Sequence, residues 1–421
     1  MRTLIAALVA GLSALTVAPA AAADAAFPRH VYDMAYYGLN GVNAAVPPVW
    51  MAEHIDIVED DGFTAPHATA FKRAGGRTAL AYTDPTYVPH CAPPFRPPAG
   101  RCDGPIGNLV NADESAWLHD ARGERIRRDN GAYFGFQEML NPAALTARRA
   151  YARTTAEILA HAPLLDGFEA DDSGSPLASQ WYGFSGTATE LRDDAQFIAA
   201  ESAMLQAAGK PVLINGGDPD TWGPAYDGRF LDLPWVMGQQ FEGCFNNGGH
   251  YLYTEQENKF ARVIDGMLAV ARHRKLAVCY PTGDTSPAHR LYAYASWLLA
   301  YDERYSVFDM EVRQADGLAL YPETELVPRR PLATATRAAE LQRDGMYVRQ
   351  FGACAIAGTP VGACATVVNP TAHAVAMPRF AAAYRGQVAL DAQSLYHGGR
   401  ARIVSGVPAQ LAAATAAIVV R

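Results

Sequence analysis

Eight short runs rich in β-forming residues, most of them followed by helix-like stretches, constrain this sequence more than any other feature. The runs are 31–38, 55–60, 78–84, 165–171, 211–216, 235–242, 276–281 and 305–311. Helical periodicity covers 66–74, 143–160, 189–208, 255–274 and 287–301, where Ala, Leu, Glu and Arg predominate and apolar positions recur three and four apart. Strands that alternate with helices pair in parallel, because the helix carries the chain back across the sheet. Eight such units read as an α/β fold of the (β/α)8 TIM-barrel type. The competing doubly wound sheet lacks its usual phosphate loops, since neither G-x-G-x-x-G nor G-x-x-x-x-G-K-[ST] follows any run.

Pro322, Pro328 and Pro331 mark a change of pattern. Beyond them, short strands are expected at 346–351, 365–369, 374–377, 387–391, 401–404 and 416–420, divided by Gly, Pro, Asn and Asp turns, as in a small antiparallel β-sandwich. The other end begins with Arg2, an apolar run over 4–17 and Ala-rich residues to Ala23, the layout of a secretory signal peptide cleaved near Ala23. The expected organisation is a leader over 1–23, a barrel domain over 24–330 and an accessory domain over 331–421. With 50% hydrophobic and 19% charged residues the chain is globular rather than disordered. No later stretch is long and apolar enough to span a membrane. A secreted or periplasmic monomer is therefore expected. A formal charge of -8 offers a phosphate backbone nothing broad to hold, so nucleic acid is not an expected partner.

Six cysteines in an exported chain point to disulfides. Nearness in sequence pairs Cys91 with Cys102 and Cys354 with Cys364, which leaves Cys244 for Cys279 on adjacent strands; other pairings are open to the sequence. The first bridge would staple the Pro-rich 93–98 segment inside a long insertion over 85–163, the kind of loop that carries substrate contacts. Zinc is disfavoured because neither C-x-x-C nor H-x-x-x-H spacing occurs.

The chemistry is expected from carboxylates. In the 165–171 strand, period-two alternation puts Phe168 and Ala170 on the helix-covered face and Gly167, Glu169 and Asp171 on the inner one. Barrel interiors are normally apolar and a desolvated carboxylate is costly, so acids placed there suggest a site. In the 235–242 strand Gly238, Gln240 and Glu242 share a face, with Glu242 at the carboxyl end beside Gly243 and Cys244. Two carboxylates from different strands at one mouth suit glycoside hydrolysis, one attacking or stabilising the anomeric centre and the other protonating the leaving oxygen. Glu169, Asp172, Asp84 and Asn215 are candidate polar sugar contacts. Aromatic platforms are expected among Tyr36, Tyr37, Tyr82, Trp181, Tyr182, Trp222, Phe245 and Tyr251, all at or just beyond strand ends. Glu59-Asp60-Asp61 reads as a solvated turn rather than a Ca²⁺ site. No G-x-S-x-G elbow is present.

Glu169-Ala170-Asp171-Asp172 resembles the E-P-D-N-type fourth-strand motif of the endo-α-1,4-polygalactosaminidase family and its glycosidase-like barrel relatives, and Glu242-Gly243-Cys244-Phe245 resembles their E-x-C-F segment. Ala170 stands where that family has proline, and Asp172 where it has asparagine. The resemblance implies a barrel glycosidase with Asp171 as nucleophile or base and Glu242 as acid/base, cutting α-linked, amino-sugar-containing polysaccharide without cofactor or metal. A polysaccharide-binding barrel without activity, and a metal-dependent hydrolase, are the alternatives.

Overall fold

The computed structural model describes residues 32–34, 46–60, 64–90, 106, 109–110, 112–129, 136–173, 194–215, 230–245, 259–281, 285–309 and 320–421. Its largest unit is an eight-stranded, all-parallel sheet whose strands follow one another in chain order. They are β1 (Tyr32–Met34), β2 (Ile57–Asp60), β3 (Thr78–Thr83), β7 (Gly167–Asp171), β8 (Val212–Asn215), β9 (Val236–Glu242), β10 (Leu276–Tyr280) and β11 (Ser306–Phe308). Each expected run holds one of these strands, trimmed at its ends. The helices between them are α1 (Pro48–His54), α2 (Pro66–Arg73), α3 (Leu145–His161), α4 (Asp194–Gln206), α5 (Lys259–Arg272) and α6 (Pro287–Leu299). The sequence reading missed only α1 among these, a seven-residue helix started by Pro48 at its first turn.

Alternation sorts the two faces of the sheet. Val58, Ala79, Ala81, Phe168, Ala170, Val212 and Ile214 pack outward on helix residues such as Phe71, Tyr151 and Leu205. Ile57, Leu80, Leu213, Leu276, Val278 and Val307 form a separate apolar cluster on the inner face. The helices bury stripes at three- and four-residue spacing, as Ala147, Ala150, Tyr151, Thr154 and Ile158 do on α3. Gly167 and Gly238 are close-approach positions, where a Cβ would collide with the carbonyl oxygens of Pro211 and Leu276 on neighbouring strands.

The insertion after β3 contains a three-stranded antiparallel sheet that the sequence reading did not anticipate: β4 (Tyr87–His90), β6 (Phe136–Met139) and β5 (Arg127–Asp129), in that order. Cys91 and Cys102 lie outside the described residues. The other two bridges are present, Cys244–Cys279 and Cys354–Cys364.

The tail is a seven-stranded antiparallel sheet. Its first strand, β12 (Leu326–Pro331), straddles the expected boundary at 330; β13 (Gln342–Arg343), β14 (Met346–Ile356), β15 (Thr359–Asn369), β17 (Gly386–Leu390), β18 (Ala401–Ser405) and β20 (Thr415–Val420) complete it. One face joins the cluster built on α6, through Tyr347, Phe351, Val368, Ile418 and Val420. The other buries Met346, Val348, Val367 and Val419 beside a two-stranded sheet, β16 (Val375–Ala376) with β19 (Gln410–Leu411). A helix thus occupies the face where two equal β-layers would be expected from the sequence. Because α6 lies between the parallel sheet and the tail sheet, Tyr292 through Leu299 are all buried. No helix of the described residues is long and apolar enough to cross a membrane.

Candidate active site

The inner faces of β3, β7, β8 and β9 carry polar side chains towards their carboxyl ends, beyond the apolar cluster that fills the same face lower down. Strand register sets the meeting. Tyr82 is aligned with Glu169 across β3 and β7, Asp171 with Asn215 across β7 and β8, and Glu242 lies at the end of β9. The backbone is held tightly here. Thr83 donates to the Glu169 carbonyl at 2.8 Å, and its hydroxyl lies 3.1 Å from that of Tyr151 on α3. Ser173 donates from its backbone to Asn215 at 3.2 Å and from its hydroxyl to Ala170.

Asp171 is the centre of the arrangement. One carboxylate oxygen accepts from the Asp172 backbone N–H at 2.8 Å and from Asn215 Nδ2 at 2.8 Å, and the other accepts from the Tyr82 hydroxyl at 2.9 Å. Three donors on two oxygens fix the group's orientation and stabilise it as an anion. Asn215 Nδ2 also reaches Glu242 Oε2 at 3.1 Å, so one amide binds both expected catalytic acids. The two bridged oxygens are therefore no more than about 6 Å apart, since each lies within one hydrogen-bond length of the same nitrogen. Asp171 is half-buried and Glu242 is exposed. Behind Glu242, Gly243 adopts a left-handed backbone at φ 68° and donates to the Tyr280 carbonyl at 2.7 Å. The Cys244–Cys279 bridge ties the same turn to β10.

Asp84 and Asp172 flank the centre in different ways. Asp84 accepts from Thr86 and Tyr87 backbone N–H groups at 2.9 and 2.8 Å, which shapes the turn into β4. Burial pushes its carboxyl well above the usual range, with Asp172 and Asp171 adding to the rise. Asp172 has a left-handed backbone at φ 50°, and its carbonyl accepts from the Thr86 hydroxyl at 2.8 Å. Glu169, expected as a sugar contact, is wholly buried, and both its carboxyl oxygens are without a hydrogen-bond partner among the described residues.

Several expectations need correction. Phe245, expected as a sugar platform, is fully buried with its ring 5.2 Å from that of Phe260 on α5. Glu59 and Asp60, expected in a solvated turn, are 0% and 1% exposed. Asp60 faces outward and accepts the first N–H groups of α2, from His67 at 2.6 Å and Ala68 at 3.0 Å. Glu59 alternates with the inner-face Ile57, a period-two signal that the three-acid run obscured. Thr83 and Tyr151 carried no sequence signal for their clamp on β7. Tyr36, Tyr37, Trp181, Tyr182, Trp222 and Tyr251 lie outside the described residues, as does Asp61. Among the described residues, no group of three or more His, Cys, Asp or Glu side chains could hold a metal ion.

No protein-family model matches the chain, and no curated protein matches its sequence. Among solved structures, it is similar to the glycoside hydrolase domain of PelA from Pseudomonas aeruginosa, with 16% identity over 68% of this chain and 95% of that one and a TM-score of 0.41. It is also similar to Ega3 of Aspergillus fumigatus in complex with galactosamine, at 12% identity over 63% of this chain and 86% of that one, with a TM-score of 0.38. A third is TtGalA, an α-galactosidase from Thermus thermophilus, at 13% identity over 80% and 67% of the two chains, with a TM-score of 0.41.

Proposed function

We propose that the chain is an exported glycoside hydrolase in which the eight parallel strands close into a barrel, Asp171 is the nucleophile and Glu242 the acid/base. The observation that carries this reading is the shared amide: Asn215 binds Asp171 at 2.8 Å and Glu242 at 3.1 Å. Carboxyl groups about 5–5.5 Å apart belong to retaining glycosidases, whereas inverting ones keep about 6.5–9.5 Å for a water. The short span supports retention. In the first step Asp171 attacks the anomeric carbon while Glu242 gives its proton to the departing glycosidic oxygen, forming a glycosyl ester on Asp171. In the second, Glu242 takes a proton from water, whose oxygen attacks the same carbon and frees Asp171.

The exposure gradient suits these roles. The half-buried Asp171 is held by three donors, as an attacking anion needs, and the exposed Glu242 exchanges protons with solvent. Asp84 and Asp172 border the bound sugar in this reading, with Tyr37, Trp181 and Trp222 as its expected aromatic contacts. The substrate class, an α-linked polysaccharide containing amino sugar, rests on the motif resemblance. Export is supported by two disulfides, which persist in oxidising compartments.

The test is release of reducing ends from α-1,4-linked galactosamine polymers, N-acetylated and free, beside neutral and acidic exopolysaccharides. Wild type should release them, with the product's first anomer matching the substrate's by NMR, and Asp171→Asn and Glu242→Gln should not. Release that survives Asp171→Asn would remove the assignment. Binding without release by wild type would favour the binding-barrel alternative.

A further inference from the structure

Glu169 has the least expected environment in the molecule. It is 0% exposed and neither carboxyl oxygen has a hydrogen-bond partner among the described residues. The charges that act on it among the described residues are those of acids: Glu59 from β2, Asp171 two residues along its own strand, Glu242 from β9 and Asp84 beyond the end of β3. Tyr82, aligned with it on β3, and Tyr151 from α3 are titratable groups near it, and burial pushes the Tyr151 phenol up as well. An anion there would lack solvent and, among the described residues, hydrogen bonds and a cation at once, and each of those absences disfavours the charge. One proton removes the charge, and with it the need for a cation and the larger part of the cost of burial; what remains is an uncharged polar group.

We propose that Glu169 works as a neutral carboxylic acid, a positioning residue that fills the space beneath Asp171 without placing a second negative charge against it. Glu169 and Asp171 alternate on one strand face, so an ionised Glu169 would oppose ionisation of Asp171 directly. With Glu169 neutral, the strand presents one anion, at its half-buried end and supplied with three donors, and one uncharged acid at its buried centre. Burial is the main cause holding the Glu169 proton in place, and Glu59, Asp171, Glu242 and Asp84 reinforce it in that order. The effect on turnover rests on the glycosidase reading; the protonation itself does not.

Two measurements on the full chain test this. Infrared difference spectra of wild type against Glu169→Gln at pH 7 should show the carbonyl stretch of a protonated carboxylic acid, present in wild type and missing in the variant. Loss of carboxylate bands instead would overturn the proposal. The second is the acid limb of kcat/KM, which follows ionisation of the free enzyme's base. Replacing a neutral acid by an amide should leave the position of that limb where it is, whatever happens to the absolute rate. Removing an anion would move it down by about one pH unit or more, the size expected for a like charge lost from a buried neighbour, and that outcome also overturns the proposal. If Glu169→Gln does not fold, Glu169→Leu serves for both readings, because an apolar residue replaces a neutral acid more readily than an anion. A wild type that cleaves no glycan would end the glycosidase reading while leaving the infrared result decisive for Glu169.

Discussion

Two glutamates in this chain are equally hidden from water and oppositely provided for. Glu323, 1% exposed, meets the guanidinium of Arg290 at 2.6 Å, and Arg290 in turn stacks over the Tyr321 ring at 4.1 Å and donates to the Asp391 carbonyl. Burial raises the Glu323 carboxyl, and Arg290 opposes the rise. Glu169, 0% exposed, has acids where Glu323 has a cation. The first pair joins α6 to the tail, a structural contact in which a buried charge is neutralised by its partner. The second leaves a carboxyl with no hydrogen-bond partner among the described residues, on the strand face that also carries Asp171, proposed for catalysis. The difference separates a buried charge that fastens the fold from a buried acid beside the carboxylates proposed for catalysis.

Substitutions can break this contrast, and the largest effect should come from the chemical side. Asp171→Asn should lower turnover by about 10⁴-fold or more, with the melting temperature held or raised. A parallel fall in stability would mean that Asp171 is a structural acid like Glu323. Next, Arg290→Met leaves Glu323 buried and unpaired and should cost about 3–5 kcal/mol in denaturant unfolding. Adding Glu323→Leu to it should recover much of the loss; if it does not, packing against Tyr321 rather than charge holds α6 to the tail.

Asn215→Ala should cut kcat by about 10–100-fold, since it removes one donor from each of the two acids. A change confined to KM would show that the amide contacts sugar rather than holding the carboxylates. The last effect, on stability in Glu169→Gln, is read as a trend with pH. The folded-state carboxyl is raised above its unfolded value of about 4.3, so the proton Glu169 retains favours folding fully below that value. Wild type loses that contribution as pH rises towards the folded value, and the amide does not. The variant's gain over wild type should therefore be least near pH 4 and grow through the neutral and alkaline range in thermal melts. A gain that shrinks as pH rises would place a cation beside Glu169 and erase the contrast with Glu323.

Much of this was legible one residue at a time. Alternation across 165–171 put Phe168 and Ala170 outside and Glu169 and Asp171 inside, because a strand between apolar neighbours cannot slip register without exposing its core residues. The same reasoning reached Asn215 and Glu242, although only as separate candidates. It failed at Glu59 and Asp60, where three consecutive acids look solvated but the strand divides the first two between its faces. The apolar run Leu291–Leu299 in α6, interrupted only by Ser296, was a missed clue that the helix is covered on both sides. The insertion's three-stranded sheet depends on pairing β4 with β6, nearly fifty residues further on, and no local pattern specifies that.

The sequence by itself determined the order of the eight parallel strands and of five helices between them, and the faces taken along β7, because these depend on local periodicity. The tertiary structure alone decided that one amide bridges Asp171 and Glu242, that Glu323 receives an arginine, and that Glu169 receives none among the described residues. Those outcomes depend on register between strands and on packing between segments remote in the chain, where a shift of one residue exchanges a partner for empty space.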